Sequence, residues 1–350
     1  MKKHLLVLAF SFVSSVFSTL QSNAAIVTFG SGLNSFNMEF VTIGNPGNAP
    51  DTTGTPNPAG SVGYTYGIGK FEVSRDMITK YNAVFGTANS LRITLTSLQS
   101  HGGNGTNRPA TGVTWNETAR FVNWMNTSTG GFAAYKFTTP GVNDDIALWD
   151  PSDTLDYDPN NLYRSKRATY VLPSFNEWYK AAYYDPNKPG GPGYWDFPTG
   201  SDTAPTPVAN GTDANTAVYL QPVLQPVRQG PADVNQAGGL SPYGVMGLGG
   251  NVIEWEESSF DLANGSVSSP RGLRGTVWNG PTQDLSSSVR YDAVPSGLDS
   301  TLNGGSFRVT SLSPQIEPIP EPSMMMIMLC GVGGYIAKRR FKKLSKIAPI

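Results

Sequence analysis

The chain has 350 residues and a formal net charge of −1, and 11% of its residues are aromatic. Between residues 26 and 316 there are 17 Lys and Arg against 24 Asp and Glu, a net charge of −7 that disfavours nucleic acid as a partner. The single cysteine is Cys330, and His101 is the only histidine beyond residue 4, which excludes disulfides, thiolate metal sites and multi-histidine centres from the body of the chain.

The first 24 residues have the pattern of a secretory signal peptide. Lys2 and Lys3 precede an apolar stretch over residues 5–20, and residues 22–24 are small or polar, as a cleavage site requires. We therefore expect an exported protein that is cleaved near Ala24. The 39 glycines and 27 prolines predict a domain with long loops, and the aromatic content provides the apolar area for a core.

In chain order, the first periodic segments predict strands and then helices. Residues 40–44 form an apolar run typical of a strand, and the alternation over residues 62–73 predicts a strand pair. Ser74 is a candidate N-cap for a helix that carries Met77, Ile78, Tyr81 and Phe85.

Two capping boxes predict two more helices. Thr114 stands three residues before Glu117, and Ser174 stands three residues before Glu177, the spacing at which each side chain satisfies the other residue's amide. After Pro186 the chain shows short strand-like runs between long turns and no clear helix. The fold class expected from these patterns is α+β with much irregular backbone.

Six motifs follow one another along the chain. They are residues 67–74 (GIGKFEVS), 108–117 (RPATGVTWNE), 172–182 (LPSFNEWYKAA), 243–255 (YGVMGLGGNVIEW), 273–278 (LRGTVW) and 305–309 (GSFRV). In this order they resemble the sulfatase-modifying factor domain, the formylglycine-generating enzyme family. The similarity extends over residues 40–310 and implies the family's variant of the C-type lectin fold. For most of these residues, packing explains their identity better than chemistry does.

The resemblance also implies a structural calcium site. Its ligands would be carbonyls of Gly249, Gly250 and Val252 with the carboxylate of Glu254, a set of oxygen donors that suits calcium. A second site would use Asn215 and Thr216. The alternative is a purely structural turn that is capped by Glu254.

At the family's catalytic centre the sequence departs from the pattern. The resemblance places Ser286 and Tyr291 at the positions of the two catalytic cysteines. A hydroxyl oxygen cannot replace the soft thiolate that holds copper(I), and the three histidines of the iron-dependent relatives are also missing. We therefore expect neither copper nor iron as a cofactor and no catalytic residue at these positions.

The C-terminal tail resembles a PEP-CTERM sorting signal. Pro320, Glu321 and Pro322 form the motif, residues 324–337 form an uncharged apolar segment, and residues 338–346 are basic. The basic cluster marks the cytoplasmic side of a membrane span, although 14 residues give a helix of only about 21 Å. The alternative, a buried C-terminal helix, leaves the basic cluster unexplained. The resemblance implies processing by an exosortase at the inner membrane.

These observations predict three parts: a signal peptide (residues 1–24), an ectodomain (25–316) and a sorting tail (317–350) with a transmembrane segment. We expect a protein that is anchored in the inner membrane during export and then reaches the cell surface or the exterior. Its domain would bind a polysaccharide or a peptide without catalysis. Two alternatives stay open: a structural matrix component, and an enzyme that uses Asp144, Asp145 and Asp150.

Overall fold

The computed structural model describes residues 25–85, 90–222, 229–297 and 305–312. Both predicted targeting segments, including the motif Pro320, Glu321 and Pro322, lie outside these ranges. None of the helices within the described ranges is long and apolar enough to span a membrane.

The elements confirm an α+β architecture in which irregular backbone dominates. The helices are α1 (Arg75–Phe85), α2 (Trp115–Ser128) and α3 (Phe175–Tyr183). The strands are β1 (Ala25–Phe29), β2 (Phe36–Ile43), β3 (Tyr66–Gly69), β4 (Tyr170–Val171), β5 (Tyr184–Asp185), β6 (Gly193–Tyr194), β7 (Thr206–Pro207), β8 (Thr216–Ala217), β9 (Glu254–Ser259), β10 (Arg271–Arg274), β11 (Tyr291–Ala293) and β12 (Thr310–Ser311).

The largest sheet joins the two ends of the described chain. Its strand order is β1-β2-β3-β12-β4, so β1 forms one edge and β12 lies between β3 and β4. Thr310 pairs with Ile68 on one side and with Val171 on the other. A second sheet has the order β11-β10-β9, and it carries the buried charges described below.

Both predicted capping boxes are present and begin the two most buried helices. In α2 the Glu117 amide donates to Thr114 Oγ1 (3.1 Å) and the Thr114 amide donates to Glu117 Oε2 (2.8 Å). The corresponding bonds of Ser174 and Glu177 in α3 measure 3.3 and 2.6 Å. These contacts satisfy amides that a helix start leaves without intrahelical partners. Ser74 similarly accepts from the amide of Met77 (3.3 Å).

The strand predictions were less accurate. The first predicted strand, residues 40–44, is the second half of β2, which begins at Phe36. The strand pair predicted over residues 62–73 was wrong, since only β3 forms there. The Lys70 amide still donates to Glu39 O in β2 (2.8 Å), but from the Lys70 carbonyl onward the backbone bonds leave the sheet: this carbonyl accepts from Met246 N (2.9 Å), and the Val73 amide donates to Phe307 O (2.9 Å). Alternation in this segment reflects burial against several loops.

Most buried hydrophobic residues belong to two core clusters. One contains Trp115, Phe121, Val122 and Met125 of α2 together with Phe307. The other surrounds α3 and is rich in tyrosine, with Tyr66, Tyr179, Tyr183 and Tyr243 among its members. The tyrosines bury large ring areas and still direct hydroxyl groups to hydrogen-bond partners.

Candidate functional site

Strand β9 carries three buried carboxylates in the middle of the fold. Glu254, Glu256 and Glu257 are each at most 1% exposed. A buried charge is tolerated when it is paired and hydrogen-bonded, and each of the three meets arginine from a distant part of the chain. The pairs are Glu254 with Arg308 (2.5 Å), Glu256 with Arg274 (2.8 Å) and Arg290 (2.7 Å), and Glu257 with Arg164 (2.9 Å).

The Glu254 carboxylate is fully occupied by two partners. Arg308 donates through Nη2 to Oε1 (2.5 Å) and through Nε to Oε2 (2.6 Å), and the Trp178 indole donates to Oε2 (2.8 Å). Both partners are buried. The pair therefore connects β9 to α3 and to the segment just before β12.

The charges of Arg308 and Glu254 both act on the nearby carboxyl of Glu72. The side-chain amide of Asn251 donates to Glu72 Oε1 (2.9 Å), while the buried Oε2 of Glu72 accepts no hydrogen bond. Burial raises the pKa of Glu72 to about 7, Arg308 acts in the opposite direction, and the Glu254 charge raises it further. Arg308 hydrogen-bonds to Glu254, and this cluster has an excess of negative charge when both Glu254 and Glu72 are ionised.

Asn251 organises the turn before β9. It has a positive φ of 62° and is fully buried. Its amide donates to Val218 O (2.7 Å), its carbonyl accepts from Trp278 N (3.0 Å), and its Oδ1 accepts from Ala232 N (2.7 Å). The sequence predicted no role for Asn251 or Glu72. For Asn251 a signal was present, because asparagine tolerates left-handed backbone and here follows two glycines.

The predicted calcium ligands lie in and directly after one turn. Gly249, Gly250 and Val252 form the turn before β9, where the Gly250 carbonyl accepts from Val252 N (2.8 Å). The Glu254 carboxylate accepts three hydrogen bonds, two from Arg308 and one from Trp178. Among residues in the described ranges, no three His, Cys, Asp or Glu side chains group as metal ligands. Calcium binding stays a prediction.

The second predicted calcium pair lies at the start of β8. Asn215 has a positive φ of 54°, and its Oδ1 accepts from Thr199 Oγ1 (3.0 Å). The Thr216 hydroxyl donates to Asp213 O (2.7 Å). Both side chains therefore have local protein partners, and they serve the turn that leads into β8.

Ser286 and Tyr291, which the resemblance places at the positions of the catalytic cysteines, make ordinary hydroxyl contacts. Ser286 is half-buried, and its Oγ accepts from the Ser288 amide (3.3 Å). Tyr291 lies in β11 opposite Leu273. Burial and a hydrogen bond with Asp284 raise the pKa of Tyr291 to about 12, so its hydroxyl stays protonated at neutral pH. This arrangement provides neither a thiolate nor an activated nucleophile.

The other residues that sequence analysis considered for chemistry are dispersed. His101 is half-buried rather than exposed, with its ring 5.7 Å from that of Trp278. Asp144 accepts from the Gly141 amide (2.8 Å), Asp145 accepts from Asn116 (3.0 Å), and Asp150 pairs with Lys136 (3.3 Å). Each carboxylate has its own local partners, so the acidic stretch supplies no shared acid–base pair.

The architecture and the site together define an α+β, loop-rich protein of the formylglycine-generating enzyme type in which charged pairs occupy the centre. A family model described as "Sulfatase-modifying factor enzyme 1-like domain" matches residues 34–309. The chain belongs to this family. No curated protein matches it.

Comparison with solved structures finds similar chains at low sequence identity, one of them with a TM-score above 0.5. Treponema denticola variable protein 1 is 17% identical with a TM-score of 0.51, covering 82% of this chain and 98% of that chain. CarF is 15% identical with a TM-score of 0.48, covering 78% and 98%. PvdO from Pseudomonas aeruginosa is 17% identical with a TM-score of 0.47, covering 81% and 97%.

Proposed function

We propose that this protein is exported, processed by an exosortase and retained at or released from the cell surface. Its sulfatase-modifying-factor domain would serve as a binding or structural module without catalysing an oxidation. One observation supports the second part above all others: hydroxyl side chains, Ser286 and Tyr291, stand at both positions where the family's oxidases carry cysteine. The only cysteine, Cys330, belongs to the predicted sorting tail.

We expect no formylglycine-generating activity. The chemistry needs two thiolates to hold copper(I) and a sulfur to engage the substrate cysteine, and hard oxygen ligands do not replace them. The full chain, purified and incubated with a sulfatase-motif peptide, copper and oxygen, should leave the peptide's cysteine unmodified by mass spectrometry. Conversion above a no-protein control would contradict the proposal.

A matched variant tests the assignment of the two positions. If Ser286 and Tyr291 occupy the places of the catalytic cysteines, the double variant Ser286→Cys/Tyr291→Cys should retain copper(I) after desalting, while the unmodified protein should not. Equal copper content in both proteins would show that the positions were assigned wrongly.

The sequence of the C-terminal tail supports the proposal that the protein is sorted by an exosortase. A proline motif, an apolar segment and a basic cluster stand in that order at residues 320–346, and the signal peptide at the other end provides an independent reason to expect export. We expect intact-mass measurement of protein from a host with an exosortase to show loss of residues 338–346. Recovery only of chains that keep these residues would contradict processing.

In this proposal calcium would stabilise the fold and would take no part in catalysis. The candidate donors are carbonyls of Gly249, Gly250 and Val252 with the carboxylate of Glu254, which is also paired with Arg308, and a second site would use Asn215 and Thr216. The alternative enzyme with carboxylates at Asp144, Asp145 and Asp150 finds less support, since each of these residues has separate partners.

A further inference from the structure

Helix α2 borders a cavity of about 370 Å³ that is distinct from the family's catalytic positions. Its walls include Tyr81, Phe85, Leu91, Trp124 and Ala133, with Arg120 as the charged group. The aromatic walls pack against one another: the Tyr81 ring lies 4.9 Å from that of Phe85 and 5.6 Å from that of Trp124. The cavity is therefore a mainly apolar space with a single cation at its side.

Arg120 has donors to spare. Its guanidinium lies 3.7 Å from the Phe137 ring centre, and Nη2 donates to Thr139 O (2.7 Å). The Nε is buried and has no partner. Desolvation lowers the pKa of Arg120, and the charges of Tyr81 and Asp144 act in the opposite direction.

Four arginines elsewhere in the domain have a carboxylate partner. Arg164, Arg274, Arg290 and Arg308 each form an ion pair with a buried glutamate. Among the ranges that the structure describes, the half-buried Arg120 and the buried Arg271 form no ion pair of this kind. A carboxylate placed in the cavity would give Arg120 such a partner.

Three polar side chains of the wall are already hydrogen-bonded. Asn123 uses both side-chain atoms on the main chain of Tyr135 (2.7 and 2.9 Å), and the Tyr81 hydroxyl donates to Leu91 O (3.0 Å). Thr127 donates to Asn123 O (3.1 Å). A sugar ring would lose hydrogen bonds from several hydroxyl groups here, whereas an apolar body with one anionic group loses none.

We propose that this cavity binds a carboxylate attached to an aromatic or branched aliphatic body, with Arg120 pairing the carboxylate and the aromatic walls holding the body. The free acid can be a small molecule or the C-terminal residue of a peptide, because both present the same chemistry. This inference rests on the proposed role of the domain as a binding module and names its site and ligand class.

The test uses calorimetric titration of the full chain with 3-phenylpropionate, its uncharged amide, glucuronate, and a peptide ending in phenylalanine with a free or an amidated C-terminus. We expect 3-phenylpropionate to bind at millimolar concentrations and the amide and glucuronate to bind at least about tenfold more weakly. Preference for the free-acid peptide over 3-phenylpropionate would identify a peptide terminus as the source.

Three variants locate the site. Arg120→Gln removes the cation, and Ala133→Leu fills the cavity without touching the guanidinium, so both should weaken 3-phenylpropionate binding at least about tenfold. Arg92→Gln, which changes a neighbouring arginine that lines a different cavity, should leave binding unchanged. Melting curves confirm that each variant is folded.

Two results would overturn the inference: equal binding of acid and amide, or an equal loss in Arg92→Gln and Arg120→Gln. If the carboxylates do not bind while a glycan or peptide screen finds another ligand, this site is wrong and the binding-module function stands. If no ligand class binds, the proposed binding function fails together with this site.

Discussion

Replacing Arg308 with methionine is expected to lower the free energy of unfolding by about 3–5 kcal/mol, because it leaves a buried carboxylate without its cation. Arg308 is fully buried and donates two bonds to Glu254. Its remaining donors reach the carbonyls of Gly69 (2.8 Å) and Met246 (3.0 Å). The substitution would therefore remove the cation and two of the three donors of Glu254, so that only the Trp178 indole remains, and would take the Arg308 donors from the two carbonyls.

Guanidinium chloride unfolding at neutral pH in the presence of a chelator measures this effect. The control is Lys80→Met, which removes a partly exposed ion pair with Asp76 (2.7 Å) and should cost less than about 1 kcal/mol. The double variant Arg308→Met/Glu254→Met should recover part of the loss, since it removes the unpaired charge. A loss below about 1 kcal/mol for Arg308→Met would show that the pair contributes little.

The protein is expected to lose stability as the pH rises from about 5 to about 7. The pKa of the Glu72 carboxyl is about 7 in the folded protein because of its burial, and it is near the ordinary value of about 4.3 in the unfolded chain. The folded state therefore holds the proton longer than the unfolded state does. The stability that the raised pKa of Glu72 contributes is fully present when the pH is below the pKa of the unfolded chain. It is lost as the pH rises through the folded-state pKa, by up to about 3 kcal/mol.

Glu72→Gln should flatten this profile, since glutamine is an uncharged group of the same shape, and should make the protein more stable than the wild type above pH 7. The control is Glu39→Gln, which changes a partly exposed carboxylate paired with Lys70 (2.7 Å). Unfolding curves across the pH range, in chelator, provide the measurement. The same slope in wild type and Glu72→Gln would contradict the assignment. A repeat in calcium tests the calcium prediction, because a bound cation near Glu254 would favour the ionised carboxyls and flatten the wild-type profile.

The helices were predicted well because the sequence signals for them, such as capping boxes, involve residues that lie close together in the chain. Thr114 and Ser174 form the capping boxes that their spacing indicated, since both partners lie within one turn of helix. Strands of two residues, such as β4 and β12, are too short for periodicity to detect. Their existence depends on partners that lie more than a hundred residues away.

Strand β9 shows why the candidate site was harder to predict. Its sequence, EWEESS, has the composition of a solvent-exposed strand, yet every residue in it is buried. Burial is tolerable only because arginines at positions 164, 274, 290 and 308 meet the three carboxylates, and sequence spacing does not reveal such pairs. The family resemblance predicted Glu254 as a calcium ligand, and the structure pairs the same carboxylate with the guanidinium of Arg308.

The central position of β12 has a consequence for the timing of export. If the chain crosses the membrane N-terminus first, β1 emerges at the beginning, but the sheet cannot close until residues 310–311 arrive to fill the gap between β3 and β4. Leu312 is anchored by its amide to Thr169 O (2.7 Å), and seven residues lie between it and Pro320. The eight steps from Leu312 to Pro320 span at most about 29 Å when fully extended. The domain would thus complete its folding while its end is still held close to the bilayer, and the protease would meet its motif next to a newly closed sheet.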